Sequence, residues 1–192
     1  VAALLWNRVI RTRDAAELFL HPERLPFADP FMMRDMDKAV ARIQKALAQG
    51  EHITVYGDYD VDGMTATSLL TRTLRKFGAK VDFYIPDRMT EGYGLNRRAL
   101  EEIAEQSDLL VTVDCGIASV ADVAAVQGAG KLDIIITDHH LPGSELPPAC
   151  AVLNPHRADG PYPDKDHAGV GVAIKLCQAL AAARSGKRWD GQ

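Results

Sequence analysis

ITVYGDYDVDG, residues Ile53 to Gly63, decides the fold and points to the chemistry. Its first half, Ile53 to Gly57, is a short apolar run that predicts a buried strand. Its second half places Asp58, Asp60 and Asp62 on alternate residues directly behind that strand. Carboxylates crowded in this way repel one another, which raises their pKa values or distorts the loop, and a divalent cation removes the conflict. A second cluster, Thr137-Asp138-His139-His140, follows another apolar run and supplies the imidazoles that the first lacks.

Taken alone, D-x-D-x-D-G opens an EF-hand calcium loop. The twelfth position of such a loop requires a bidentate Glu and is Leu69 here. The segment before the loop also reads as a strand, where an EF-hand needs a helix, so that reading is rejected. A strand followed by D-x-D also opens haloacid-dehalogenase-like phosphatases, but that reading leaves the His-His pair unexplained.

Around this stretch the chain alternates between strands and helices. Met36, Ala39, Val40, Ile43, Ala46 and Leu47 share one helical face, with Asp35 placed to cap that helix and Gly50 to end it. The pattern then predicts a helix over Met64–Phe77, with Leu69, Leu70, Thr73, Leu74 and Phe77 inward, and a strand over Val81–Ile85. A helix over Arg97–Glu105 capped by Asn96, a strand over Leu109–Val113, and a helix opened by the capping-box pattern Ser119-Val120-Ala121-Asp122 follow. Strands over Asp133–Thr137 and Ala151–Leu153 and a helix over Ala168–Arg184 complete the series. Short apolar strands separated by helices imply an α/β fold, a mostly parallel sheet with helices on both faces. Residues 1–34 read as a lead-in, with a short helix over Asp14–Leu20 and a Pro-rich connector, and 35–192 as the domain.

In such sheets ligands bind at the carboxyl ends of the strands. Asp58 to Asp62, Asp114, and Asp138 to His140 each begin at such an end, so three distant segments converge on one edge. Asp114, in Asp-Cys-Gly, could serve as a turn residue alone; its place at a strand end favours the site. Asp138 is suited to orient a neighbouring imidazole. Oxygen-rich ligation with one or two imidazoles suits Mn²⁺ or Mg²⁺. Two such ions bridged by a carboxylate suit phosphoester hydrolysis with a metal-activated water as nucleophile.

Four ordered motifs, VYGDYDVDGMTATSLL, VTVDCGI, ITDHHLPG and AGVGVAIKL, resemble those of the DHH phosphoesterase family, whose naming triad is Asp138-His139-His140. Within it, PDRMTEGYGL and VLNPHR resemble the branch of bacterial exonucleases that degrade single-stranded DNA from the 5′ end. The resemblance spans roughly residues 30 to 184. It implies that Asp60, Asp62, Asp114 and His139 ligate two Mn²⁺ or Mg²⁺ ions, with Asp114 bridging. Relatives with a His four residues before the middle Asp have Tyr56 at that place here, which leaves Asp58 as its replacement or as an immediate neighbour of the ions. His140 would contact the scissile phosphate. The resemblance also implies a role in DNA repair and recombination in the cytoplasm, with single-stranded DNA, a single-strand-binding protein and a helicase as partners. A fourth metal motif with a further Asp, and a second domain, are expected beyond residue 192, so the 192 residues by themselves are expected to be weakly active or inactive.

Further candidates face the substrate. Arg88 could pair with phosphate oxygens or be a solvated loop residue. Tyr93 could stack on a base or pack its Gly-Tyr-Gly turn. Asn154, His156 and Arg157 follow the last strand. Gly169 and Gly171 open the last helix, either to cradle a phosphate on free amides or to allow close helix–sheet packing. The bulk numbers constrain little else. The chain is 47% hydrophobic and 25% charged, with 22 Lys and Arg against 26 Asp and Glu, a balance that argues against a broad basic footprint. No apolar run approaches the roughly 20 residues of a membrane span, and the three cysteines form no CxxC pair. The alternatives are a relative hydrolysing oligoribonucleotides, cyclic dinucleotides or pyrophosphate, and a non-catalytic nucleic-acid-binding protein. The EGYGL and LNPHR stretches oppose the first, and the intact acidic and DHH motifs the second.

Overall fold

The computed structural model describes residues 1–24, 27–92, 94–130 and 132–186. In chain order these form α1 (Ala2–Asn7), α2 (Arg13–Leu20), α3 (Met36–Gln49), β1 (His52–Tyr56), α4 (Val61–Lys76), β2 (Lys80–Tyr84), α5 (Arg97–Ala104), β3 (Leu109–Val113), α6 (Val120–Gly128), β4 (Asp133–Thr137), β5 (Ala151–Leu153) and α7 (Gly169–Ser185). The strands make one sheet in the order β2-β1-β3-β4-β5, with every pairing parallel.

Strand alternation sends side chains to two cores. Ile53, Val55, Leu109, Val111, Val113 and Ile135 enter the core formed with α3, α4 and α7. Tyr56, Leu110, Ile134, Ile136 and Val152 enter the core beneath α5 and α6. The central strand β3 is buried along its whole length, so its sequence shows a continuous apolar run where a one-faced strand would alternate.

Several termini form as their residues dictate. The Asn96 side chain accepts a hydrogen bond from the Ala99 N–H, and Gly50 ends α3 in the left-handed region at φ 67°. Others do not. Helix α4 begins at Val61, before Met64, because Asp60 caps it by accepting from the Gly63 N–H at 2.9 Å. Asp62 therefore sits in the first turn of a helix. Leu70 and Leu74 of α4 are fully buried, while Leu69 and Phe77 pack at the margin of the core. Ser119 makes no side-chain cap on α6.

Asp35 does not cap α3 through its side chain. It adopts φ 64°, and its carboxylate pairs with Arg157 at 2.6 Å and Lys38 at 2.7 Å. Burial alone would raise the Asp35 pKa, but these two cations outweigh it and hold it below the usual carboxylate value. The packed unit also begins before residue 35. Met33 is 1% exposed within the core, and the buried Lys175 of α7 donates to the Ala28 carbonyl at 3.0 Å.

Candidate metal centre

The carboxyl ends of β1, β3 and β4 deliver three segments to one place. One carboxylate oxygen each of Asp58, Asp60 and Asp114 lies within 4.8 Å of the others, and so do one oxygen of Asp114 and one ring nitrogen each of His139 and His140. Asp114 belongs to both groups. The strand β3 ends beneath it, and the chain turns sharply there, with Asp114 at φ 63° and Gly116 at φ 107°. A non-glycine residue in that region is strained, and Asp tolerates it better than most.

The electrostatics of Asp114 are those of a group in want of a cation. The residue is 1% exposed, and burial, followed by the nearby Asp62 and Asp60, pushes its pKa up to about 7. Its Oδ1 is buried and takes part in no hydrogen bond, although His139 Nε2 lies only 3.1 Å away. An imidazole nitrogen and a carboxylate oxygen this close, in a geometry that makes no hydrogen bond, are placed to bind a third body together. Asp58, also buried, has a raised pKa, chiefly from burial and partly from Asp60, which its bond from the Tyr59 N–H and the charge of Arg88 only partly offset. Buried acids left uncompensated in this way fit a divalent cation, and the donor set of carboxylates with one or two imidazoles suits Mn²⁺ or Mg²⁺.

Asp62 has a second engagement. Its two oxygens accept from the Gly169 and Val170 N–H groups at 2.8 and 2.7 Å, and its Oδ2 lies 3.8 Å from His139 Nε2. Of the two readings of the amides opening α7, a phosphate cradle or close packing, the first loses ground, since Asp62 takes them. Gly169 serves close packing: a Cβ there would lie 2.3 Å from Asp114 Oδ1. At Gly171 a Cβ would lie 2.9 Å from the His167 ring.

Asp138 anchors the His-His loop. Its Oδ1 accepts from the His139 and His140 N–H groups and from His140 Nδ1 at 2.8 Å, and its Oδ2 accepts from the Ile117 N–H. The imidazole it orients through a side-chain bond is therefore that of His140, whose ring centroid is 4.5 Å from that of His139. Burial disfavours the charged form of His140, but the bond to Asp138 and the surrounding carboxylates prevail and raise its pKa. The hydrogen on Nδ1 follows from a carboxylate partner, which can only accept.

The remaining candidates divide. Arg88 is exposed, with its guanidinium 5.2 Å over the Tyr59 ring. Asn154 is buried and ties two loops together, donating to the His140 carbonyl at 2.9 Å and accepting from the His156 N–H at 2.7 Å. Arg157 does not line the cleft. It is 7% exposed and commits its guanidinium to Asp35, Asp159 and the Val152 carbonyl. Tyr93 lies outside the described residues. Tyr56 is buried against Tyr84 and donates to the Gly94 carbonyl, so the place held by His in some relatives has a packed phenol here. Thr112 was not singled out by the sequence, and Thr137 only as the start of its cluster with no role of its own, yet both are buried beside the site. The signal was a threonine two residues before Asp114 and again two before His139.

Comparison with known proteins places the chain in a family. The chain is 50% identical over 181 residues to the single-stranded-DNA-specific exonuclease RecJ of Bacillus subtilis, covering 94% of this chain and 23% of that protein. To the RecJ of Thermus thermophilus it is 42% identical over 148 residues, covering 77% of this chain and 22% of that protein. It therefore spans about a quarter of the length of these relatives. The solved structure of an exonuclease RecJ bound to manganese superposes with a TM-score of 0.73 at 41% identity, over 81% of this chain and 39% of that one. RecJ from Thermus thermophilus in complex with Mn²⁺ gives a TM-score of 0.73 at 35% identity, over 95% and 25%. The family model for the N-terminal domain of the DHH family matches residues 52–190, and the chain belongs to that family.

Proposed function

We propose that this chain forms the metal-binding part of a phosphodiester hydrolase, a RecJ-type exonuclease that removes nucleotides from single-stranded DNA in the 5′→3′ direction during DNA repair and recombination. The observation that carries the proposal is Asp114, a buried carboxylate shared by two ligand groups with an unsatisfied oxygen aimed beside His139. Asp58, Asp60 and Asp114 would hold one divalent cation, and Asp114 and His139 a second, with Asp62 close by. Mn²⁺ or Mg²⁺ bound there supplies Lewis acidity and neutralises charge on a phosphodiester.

The chain's own groups do the rest. Asp138 fixes the His140 ring through Nδ1 and favours its cationic form, which suits a phosphate oxygen. Asn154 holds the His140 backbone in place. Arg88, beside Asp58, is the basic group suited to a second phosphate contact. Residues before about 28 read as the lead-in, and the packed domain follows them. A single-strand-binding protein and a helicase are the partners this reading implies, and the cytoplasm its compartment. Among the described residues no helix is long and apolar enough to cross a membrane.

The test is Asp114→Asn in the full-length protein, assayed on 5′-labelled single-stranded DNA and on dinucleotides with Mn²⁺. The reading expects wild-type protein to degrade the long strand and the variant to lose at least a thousandfold in rate, an effect on the order of 4 kcal/mol, with its circular dichroism unchanged. Activity retained in the variant removes Asp114 from the site. Wild-type activity confined to dinucleotides would identify a small-substrate relative.

A further inference from the structure

Two threonines that belong to neither ligand group join the segments that do. Thr112 and Thr137 are both 0% exposed, at the ends of the neighbouring strands β3 and β4. The Thr112 hydroxyl donates to the Cys115 carbonyl at 2.8 Å and accepts from the Thr137 N–H at 3.2 Å. The Thr137 hydroxyl returns a bond to the Thr112 carbonyl at 2.8 Å. These three bonds tie the end of β3, the strained turn that carries Asp114, and the end of β4 that runs into Asp138 and His139.

The ring acts where the backbone is least able to hold itself. Asp114 sits in the left-handed region, and the Cys115 carbonyl just after it is satisfied by the Thr112 hydroxyl. Gly116 completes the turn, and a Cβ there would lie 3.3 Å from the same hydroxyl. The closed ring lies between the Asp114 turn above β3 and the loop after β4 that carries His139. The two segments it joins bring His139 Nε2 to 3.1 Å from Asp114 Oδ1. A strained turn keeps such geometry only when its surroundings over-determine it, and groups that orient ligands from behind change metal affinity 10- to 100-fold when removed.

We infer that Thr112 and Thr137 are positioning residues, a buried hydroxyl pair that sets the Asp114–His139 separation and with it the affinity of the site for divalent cations. This rests on the reading of the cluster as a metal site. Valine matches the shape of threonine without the hydroxyl, and serine keeps the hydroxyl without the methyl group, so the two substitutions separate bonding from packing.

The experiment measures Mn²⁺ binding to the full-length protein by calorimetric titration and by the electron paramagnetic resonance of bound Mn²⁺. Wild type is compared with Thr112→Val, Thr112→Ser, Thr137→Val and Thr137→Ser. The valine variants are expected to bind Mn²⁺ about tenfold or more weakly with an altered spectrum, and the serine variants to restore affinity to within about threefold of wild type. Wild-type affinity in folded valine variants overturns the inference and leaves the metal site standing, even if their thermal midpoints fall. Equal loss in serine and valine variants also overturns it, because packing would then be the cause. Should Thr112→Val fail to fold, Thr137→Val, which removes one side-chain bond only, decides by the same criterion. If wild type binds no Mn²⁺ at millimolar concentration, the metal reading fails and the inference with it.

Discussion

Gly169 and Asp114 touch across the junction of α7 with β3, so closely that a Cβ on Gly169 would lie 2.3 Å from Asp114 Oδ1 and 2.5 Å from its Cγ. The contact explains why the last helix starts with a glycine and why its first amides reach Asp62. Helix α7 is thereby part of the site's wall, and the Asp114 carboxylate has no room to retreat on that side.

Gly169→Ala is therefore expected to disturb the site directly. Either α7 moves outward, breaking its bonds to Asp62, or Asp114 moves off its position beside His139. Overpacking of this kind costs about 1–3 kcal/mol or more, read as a lower thermal midpoint together with weaker Mn²⁺ binding. Gly171→Ala makes a useful control. Its Cβ meets the His167 ring at 2.9 Å, and a side chain can swing aside where a helix cannot. Equal effects from both substitutions would contradict the tight packing at Gly169.

Arg157 and Asp35, 122 residues apart, are expected to matter for stability and not for substrate. Arg157→Ala leaves the carboxylate of Asp35 with Lys38 and a long bond from the Val152 N–H, a loss of about 3–5 kcal/mol for a largely buried pair broken on one side. The pH dependence has a definite sign. The folded-state pKa of Asp35 is depressed, so its contribution is fully present above the unfolded value of about 4 and is lost as pH falls through the lower folded value. Denaturant unfolding across the acid range should show this loss in wild type and less of it in Asp35→Asn. A slope that Asp35→Asn leaves unchanged would mean that other acids govern it.

That pair also marks where sequence stopped being informative. Leu109–Val113 and Asp133–Thr137 could be read residue for residue, because runs of five and four consecutive apolar or β-branched residues, each bounded by Asp, admit little else. The convergence of Asp58, Asp114 and His139 was legible too, since parallel topology alone puts every strand's carboxyl end on one edge. The start of α4 was not, because Gly63 weakens helix propensity and only the Asp60 cap, a tertiary-looking detail, extends the helix back to Val61. Nor could the chain order reveal that the α7 amides face Asp62 or that Arg157 turns inward. Both depend on partners more than 100 residues away. The motif left Gly169 open between a phosphate cradle and close packing and suggested a substrate arginine at 157; the contacts give the first its packing role and the second an ion pair.

Asp138→Asn should show how much the His-His loop depends on a single acceptor. Four N–H groups converge on this carboxylate. An amide of the same shape must turn its NH₂ toward at least one of them, leaving a buried donor facing a donor. The expected cost is about 2–3 kcal/mol, equivalent to roughly 4–12 °C in thermal midpoint for a domain of this size. Mn²⁺ affinity should fall 10- to 100-fold. Unchanged affinity with a lowered midpoint would reduce Asp138 to a structural acceptor.

Adding Mn²⁺ should stabilise the wild-type chain by mass action, and Asp114→Asn should remove that response. At a free concentration one hundred times Kd the stabilisation is about 2.7 kcal/mol, or roughly 5–11 °C in thermal midpoint, reversed by a chelator. Asn at position 114 cannot bring the negative charge that bridges the two ligand groups, so its midpoint should not move with metal. The metal-free variant should nevertheless be no less stable than metal-free wild type. Its amide removes a charge that is buried and pressed by Asp60 and Asp62, the conflict that lifts the Asp114 pKa to about 7. Thermal scans of both proteins with chelator and with Mn²⁺ give the four midpoints required. A metal-free variant much less stable than wild type would mean that the Asp114 carboxylate supports the fold, and that the strain assigned to it is misplaced.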